Sequence, residues 1–495
     1  MNTLLLLEMA ASSEPERCAF QIGDERMSTE ELRRRSVGAG YAVKALGAEH
    51  LAFVGSNSIA FPVAIFAAAA ANVPFLPLNY RLSEERRREL LSRHANTLVV
   101  ADESQLDGLR LLGFTALSVS EFLALGDDGS GECSDPDPDD IAVLLYTSGT
   151  TADPKAVILR HRHLAAYVVG TVEFASASAD EAALVAVPPY HIAGVAHVLT
   201  NLFAGRRVVY EVSFHAEEWL LIARRERITH AMVVPTMLAR IVDALAKDGE
   251  TGPPALRTLV YGGAKMPSGV LERALELFPD VAFVNAYGLT ETSSTIAVLG
   301  PEDHRRALED GDPQARELLR SVGKVVPGIE IEIRGPDSSV VPTGTIGEIF
   351  VRGEQVSGEY LGQDSAIIGE GWYPTRDSGY LDDDGYLFVE GRSDDTIIRG
   401  GENIAPAEIE HVLADHPDVK DCVVLGLSDD EWGERILAVV VLATGASSRP
   451  DDLRSWVRAR LRSSRTPDQI EFSDALPYTE TGKVLRRTLR EQFEV

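Results

Sequence analysis

From about residue 140 the chain alternates short apolar runs of strand length with longer stretches of helical periodicity. No other feature narrows the fold as much. Repeated strand–helix units bury their apolar faces by laying strands side by side and covering them with helices, which predicts an α/β architecture with layered sheets. Residues 141–145, 156–159, 183–187, 231–234 and 258–261 are the strand candidates, and residues 216–225, 236–246 and a stretch starting at His161 are the helices between them. The pattern changes over residues 325–389. There, short β-rich runs (329–333, 347–351, 385–389) separated by Gly, Pro and Asp predict a small β-subdomain. After Arg392, strands are expected at 395–398, 419–425 and 437–442, with helices at 406–413 and 452–461. Pro406 sits in the first turn of one of these helices, where its missing N–H costs nothing. The 495 residues are thus expected to form a large N-terminal domain, 1–392, and a small α+β C-terminal domain, 393–495.

Residues 60–78 are apolar over almost the length of a bilayer span, but Pro62, Asn72, Pro74 and Pro77 interrupt them. A buried helix ending in a turn is expected, and no membrane span. Residues 1–11 hold a run of leucines but carry Glu8 and lack a basic segment, unlike a signal peptide. Residues 126–140, rich in Asp, Gly and Ser, read as a surface loop. The formal net charge of −29 argues against nonspecific binding to nucleic acid or anionic membrane, and requires any anion site to be built locally. Cys18, Cys133 and Cys422 lie far apart without a CxxC pair. That argues against a disulfide framework or a zinc site and makes the cytoplasm the default compartment.

The segment Tyr146-Thr-Ser-Gly-Thr-Thr-Ala-Asp-Pro-Lys155 follows a strand candidate and combines hydroxyls, a glycine and a lysine. Backbone N–H groups, hydroxyls and an ammonium are what a polyphosphate needs. The spacing is not that of a Walker A loop. A flexible Ser/Thr-rich turn is the alternative reading of the segment by itself.

The loop does not stand alone. It resembles the phosphate loop of the adenylate-forming superfamily, which includes acyl-CoA and aryl-CoA synthetases, adenylation domains of peptide synthetases, and luciferases. Further matches follow in the family's order: Pro188-Pro-Tyr-His191, Tyr261-Gly-Gly-Ala264, Asn285-Ala-Tyr-Gly-Leu-Thr-Glu291, Gly371-Trp-Tyr-Pro-Thr-Arg-Asp377, Gly391-Arg-Ser-Asp-Asp395, Arg399-Gly-Gly-Glu-Asn403 and Thr481-Gly-Lys483. Before residue 140 the resemblance rests on Pro77-Leu-Asn-Tyr-Arg-Leu82.

This resemblance implies a two-step ligase using ATP, Mg²⁺ and coenzyme A, closest to acyl-CoA or aryl-CoA ligases, with a mobile C-terminal domain. It implies that Thr147, Ser148, Gly149, Thr150, Thr151 and Lys155 hold phosphates, and that Gly262, Ala264, Asn285, Ala286 and Tyr287 face the nucleotide. Glu291 is implied to hold Mg²⁺, with Thr290 at the α-phosphate and Asp377 with Arg392 at the ribose. Lys483 is implied to bridge the acyl carboxylate and the α-phosphate, and His191 to gate the acyl pocket. Asp394 matches the hinge, Gly400 and Gly401 the approach of a pantetheine arm, and Trp432 a contact to the CoA adenine, with Arg465 near its phosphate. The acyl pocket is expected around residues 234–236, 261–264 and 286–288, without a fixed charge. That favours a hydrophobic carboxylic acid over an amino acid.

Three departures stand out. Ala152 and Ala156 replace glycines flanking the phosphate loop, where a methyl can block a positive φ, and Arg376 stands where the family has glycine. The same residues remain compatible with a carrier-protein acceptor, a luciferase-like second step, or a nucleotide-binding pseudoenzyme. A homodimer is compatible with the resemblance.

Overall fold

The computed structural model describes residues 1–127, 135–147, 154–309, 316–392, 395, 397–399, 402–429, 432–461, 463–479 and 483–494. Among these residues the strands form four sheets. The largest is built on a parallel block ordered Ala282–Leu289, Thr258–Gly262, His230–Val233, Ala182–Val185, Arg207–Tyr210 and Cys18–Ile22. Antiparallel strands extend it at both edges. A second sheet runs Thr115–Ser118, Thr97–Ala101, His50–Val54, Phe75–Pro77, Ile141–Thr147 and Lys155–Arg160, the last pair antiparallel. Tyr373–Leu381 lies within a four-stranded antiparallel sheet with Ile329–Arg334, Gly347–Gly353 and Leu387–Arg392. The C-terminal domain folds around Val419–Asp429 and Gly433–Leu442.

The helix Ala60–Ala71 is buried on every side. A helix apolar all round has no solvent face and belongs in the middle of a layered core. Asn72 ends it in the left-handed conformation, and the strand Phe75–Pro77 follows at once. Helix Thr29–Ala45 packs on it through Gly40, where a Cβ would meet the Ala67 carbonyl oxygen at 2.8 Å. Only glycine lets the backbones come this close. Among the described residues no helix is long and apolar enough to cross a membrane.

Several elements differ from expectation. The strand expected at 385–389 runs Leu387–Arg392, because Gly385 takes a positive φ in the turn before it. The strand expected at 395–398 is Ile397–Arg399. Before residue 140, six strands of the two large sheets went unread: Cys18–Ile22, Glu25–Ser28, His50–Val54, Phe75–Pro77, Thr97–Ala101 and Thr115–Ser118. Part of the loop expected at 126–140, residues 128–134, lies outside the described residues, as does Cys133.

Candidate active site

Parallel strands all point their C-terminal ends the same way. Four motif segments therefore leave the large sheet at one edge: His191 follows Ala182–Val185, Val234 follows His230–Val233, Gly262 ends Thr258–Gly262, and Thr290 and Glu291 follow Ala282–Leu289. Crevices outside the carboxyl ends of such sheets are where ligands bind. Gly262 is needed there, because a Cβ would lie 2.2 Å from the Ala286 carbonyl oxygen of the neighbouring strand.

The phosphate-loop hairpin is stitched to this edge by residues the motifs did not include. Thr147 and Lys155 face each other in register, so the loop's two ends are fixed. Ser148, Gly149, Thr150, Thr151 and Ala152, within that loop, lie outside the described residues. Strand Lys155–Arg160 pairs with the 357–360 segment: Ile158 N donates to the Glu359 carbonyl at 2.9 Å, and Arg160 grips the Glu359 carboxylate at 2.9 and 2.6 Å. Ala156 is in extended strand, buried, and not in the left-handed region, so its methyl is accommodated there. The expected conflict with a positive φ is absent at Ala156.

Tyr360 ends that segment. Its hydroxyl donates to Glu291 Oε1 at 2.9 Å and meets the Tyr373 hydroxyl at the same distance, while the Lys155 ammonium stands 5.4 Å from its ring centroid. Burial, then the Glu291 carboxylate, pushes the Tyr360 hydroxyl up to about 12. Ser357 N donates to the Glu291 carbonyl at 2.8 Å, and Gln355 Nε2 donates to the carbonyls of Thr292 and Thr295, fixing the turn that carries Thr290. Beside Lys155 lies a cavity of about 350 Å³, lined also by Arg93 and Tyr146.

Asp377 and Arg392 are direct cross-strand partners. Arg392 Nε lies 3.2 Å from Asp377 Oδ1, and the Tyr287 hydroxyl donates to Asp377 Oδ2 at 2.6 Å. Burial raises the Asp377 pKa, opposed by Arg392, Tyr287 and Lys483. Burial opposes the charge of Arg392, but Asp377 and Glu291 more than offset it and raise its pKa. Arg376, between Thr375 and Asp377, takes φ 61° within the strand, the left-handed conformation that favours glycine.

Next to Lys483, Val484 bridges Tyr478 in antiparallel fashion, and Lys483 N donates to Thr479 Oγ1 at 2.9 Å. Its side chain keeps solvent contact by area, yet protein surrounds it closely enough to lower its pKa, with Arg392 adding to this and Asp377 opposing. The lysine and the Asp377–Arg392 pair thus share one electrostatic environment across two domains.

The remaining site residues are more scattered. Asn285 Nδ2 donates to the Ser321 carbonyl at 3.3 Å, and Ala286 and Ala264 are half-buried. His191 caps helix Ile192–Ala204, its ring 4.6 Å from that of Tyr190, and burial lowers its pKa to about 4. Trp432 is 47% exposed with the Arg399 guanidinium 5.2 Å from its ring. Arg465 pairs with Glu408 at 2.7 Å. Asp394, Gly400 and Gly401 lie outside the described residues.

Tyr261 does not line the crevice as expected. It is buried in the core, its hydroxyl 2.9 Å from His304 Nε2. Side chains alternate along a strand, so the opposite face presents Met232, Val260 and Val284, which are aligned across neighbouring strands and half-buried. Helix Ile192–Ala204 lies against this face, with His197 Nε2 2.8 Å from Met232 Sδ. Sequence reasoning missed this apolar wall, although the two-residue period carries its signal.

With this geometry in view, comparison decides the family. Residues 7–361 match the model of the AMP-binding enzyme, and residues 408–483 that of the AMP-binding enzyme C-terminal domain. This chain is an AMP-binding enzyme. A feruloyl-CoA synthase of Amycolatopsis sp. is 33% identical over 98% of this chain and 97% of its own. A fatty acid–[acyl-carrier-protein] ligase, ScoC, of Streptomyces coeruleorubidus is 32% identical over 98% and 95%. The solved o-succinylbenzoate CoA synthetase of Bacillus subtilis, in complex with its acyl-adenylate intermediate, superposes with TM-score 0.83 at 28% identity, covering 98% of this chain and 97% of that one. The layered α/β fold of this AMP-binding enzyme is therefore shared with adenylate-forming enzymes over the whole chain.

Proposed function

We propose that this enzyme activates a hydrophobic carboxylic acid with ATP as an acyl-adenylate and then transfers the acyl group to coenzyme A. The observation that carries the reading is the Asp377–Arg392 pair at 3.2 Å, with Lys483 and Glu291 both within electrostatic reach of it. A carboxylate and an α-phosphate repel each other, so the reaction needs cations and a fixed approach. Lys483 offsets that repulsion and aligns the carboxylate oxygen as it attacks the α-phosphorus and pyrophosphate leaves. Asp377 has spent two acceptor sites on Tyr287 and Arg392 and retains others for the ribose hydroxyls. Glu291 Oε2 has no hydrogen-bond partner among the described residues. Glu291 therefore fits as a magnesium ligand, and bound Mg²⁺ supplies neutralisation of phosphate charge. Thr290 is placed beside it for the α-phosphate. The apolar body of the acid lies against Met232, Val260 and Val284.

In the second step the thiol sulfur attacks the acyl carbon and AMP departs. In this reading residues 393–495 turn about Asp394, His191 gates the acyl pocket, Gly400 and Gly401 pass the pantetheine arm, and Trp432 stacks on the CoA adenine. The cytoplasm supplies ATP and CoA. A second reading, transfer to a carrier-protein pantetheine, is favoured by the relative named a fatty acid–[acyl-carrier-protein] ligase.

The test is pyrophosphate release with ATP and Mg²⁺ over fatty, aromatic and polycyclic acids, with and without CoA, beside Lys483→Ala. Release with one acid class, lost in the variant, and a thioester formed only with CoA are expected. Release that never yields a thioester with free CoA moves the acceptor to a carrier protein. Silence with every acid overturns adenylation.

A further inference from the structure

A second set of charged side chains crosses the seam between the two domains without facing the reacting groups. From the N-terminal side come Lys265, next to Ala264; Glu390, two residues before Arg392; and Arg320. From the C-terminal side comes helix Pro406–Ala414, which packs against strand Leu387–Arg392 and carries Glu410 and His411. Arg320 Nη2 lies 2.5 Å from His411 Nδ1. Burial, reinforced by the Lys265 and Arg320 charges, lowers the His411 pKa to about 2. The ring is therefore neutral, and Nδ1 accepts from the guanidinium.

Glu410 is held within the C-terminal side and acts across the seam on Lys265 electrostatically. It is buried, and its Oε1 accepts from Val424 N at 2.9 Å and from Arg486 Nη2 at 2.7 Å. Lys265 keeps solvent contact, while its ammonium is within electrostatic reach of Glu410 and Glu390. Arg486 lies three residues beyond Lys483 and acts electrostatically on it. A line of charge thus runs from Lys265 through Glu410 and Arg486 toward Lys483, in direct contact between Glu410 and Arg486 and within electrostatic reach at the other two steps.

We propose that the Arg320–His411 contact, backed by the Glu410–Arg486 ion pair behind it, forms a cross-domain clasp that positions Lys483 for adenylation and opens before thioester transfer. The proposal rests on the reading of Lys483 given above. These are positioning residues, since none touches the reacting atoms. A hydrogen bond with one charged partner shifts an equilibrium by about tenfold or more, so losing one should depopulate the adenylating orientation measurably.

The two half-reactions separate this role from a general loss of stability. Pyrophosphate release is measured without an acceptor, and thioester formation is measured from preformed acyl-adenylate plus CoA. His411→Ala is expected to slow the first about tenfold and to leave the second unchanged or faster, with an unchanged melting temperature. His411→Asn, whose carboxamide oxygen can take the place of Nδ1, is expected to restore most of the first rate. Equal slowing of both steps, no slowing of either, or failure of Asn to rescue would overturn the clasp.

A readout independent of catalysis is the distance between spin labels on the two domains in the presence of ATP. The docked population should fall in His411→Ala and return in His411→Asn. If it does so in a protein that adenylates nothing, the clasp stands and the reading of Lys483 fails. If the distances are the same in all three proteins, the clasp fails.

Discussion

The Tyr360 hydroxyl donates to Glu291 Oε1 at 2.9 Å while the Lys155 ammonium stands 5.4 Å from the same ring's centroid. One tyrosine therefore connects the proposed magnesium ligand with the phosphate-loop lysine, two residues far apart in sequence. Outer groups that orient a metal ligand are typically worth about 10- to 100-fold in metal affinity. Tyr360→Phe is expected to raise the Mg²⁺ concentration for half-maximal pyrophosphate release about tenfold. A magnesium titration at saturating ATP checks this, and an unchanged midpoint would show that Glu291 is oriented without Tyr360.

Arg376 occupies the left-handed region at φ 61° immediately before Asp377. For a residue with a Cβ this costs about 1 kcal/mol. Arg376→Gly is expected to stabilise the protein by up to that amount, read as a higher urea midpoint. Arg376→Ala keeps the Cβ and should give no such gain. If both variants gain equally, the charge of Arg376 and not its backbone is responsible.

Glu211 is 3% exposed, and burial raises its pKa to about 7, against an accepted hydrogen bond from His215 N. Its Oε2 is buried without a hydrogen-bond partner among the described residues. The folded state therefore holds a proton that the unfolded chain releases at about 4.5. The resulting stability is fully present below pH 4.5 and is lost as pH rises through about 7. A shift of this size corresponds to about 3 kcal/mol. Urea unfolding of the wild type from about pH 4 to about pH 8, which brackets that window, should show that decline against other titrations. Glu211→Gln, which cannot ionise, should flatten it, and an unchanged slope in the variant would remove Glu211 as its source.

Trp432 is held by its backbone N–H on Asp429 Oδ1 at 2.9 Å, with its ring largely open to solvent. Stacking of a base on an aromatic ring is worth about 1–3 kcal/mol. Trp432→Ala is expected to raise the half-saturating CoA concentration about tenfold while leaving acceptor-free pyrophosphate release alone. A change in pyrophosphate release with no change in CoA dependence would place Trp432 outside the CoA site.

Five of the six strands from Ile141 to Gly262 were legible as short apolar runs bounded by turns, and Arg207–Tyr210 was not. The first 140 residues were harder. Cys18–Ile22 is too short to announce itself, and it finds its parallel partner only at Arg207–Tyr210. Tyr360 and Gln355 were missed for a related reason. Each acts by a hydrogen bond to the Glu291 turn, and nothing in their local sequence encodes that partner.

The sequence alone determined the inventory and its order: the hydroxyl-rich loop, Glu291, Asp377, Arg392 and Lys483, and the strand–helix alternation that predicts a layered sheet. Those are properties of residue type and local spacing. Tertiary structure alone decided how the inventory meets. Parallel pairing brings four strand ends to one edge, the antiparallel register sets Arg392 opposite Asp377, and the seam with the C-terminal domain brings Lys483 to both. It also turned Tyr261 into the core and set Met232, Val260 and Val284 in line on the opposite face of the sheet. Such contacts join residues tens to hundreds of positions apart, and they form only when burial of the whole core outweighs the entropy of closing those loops.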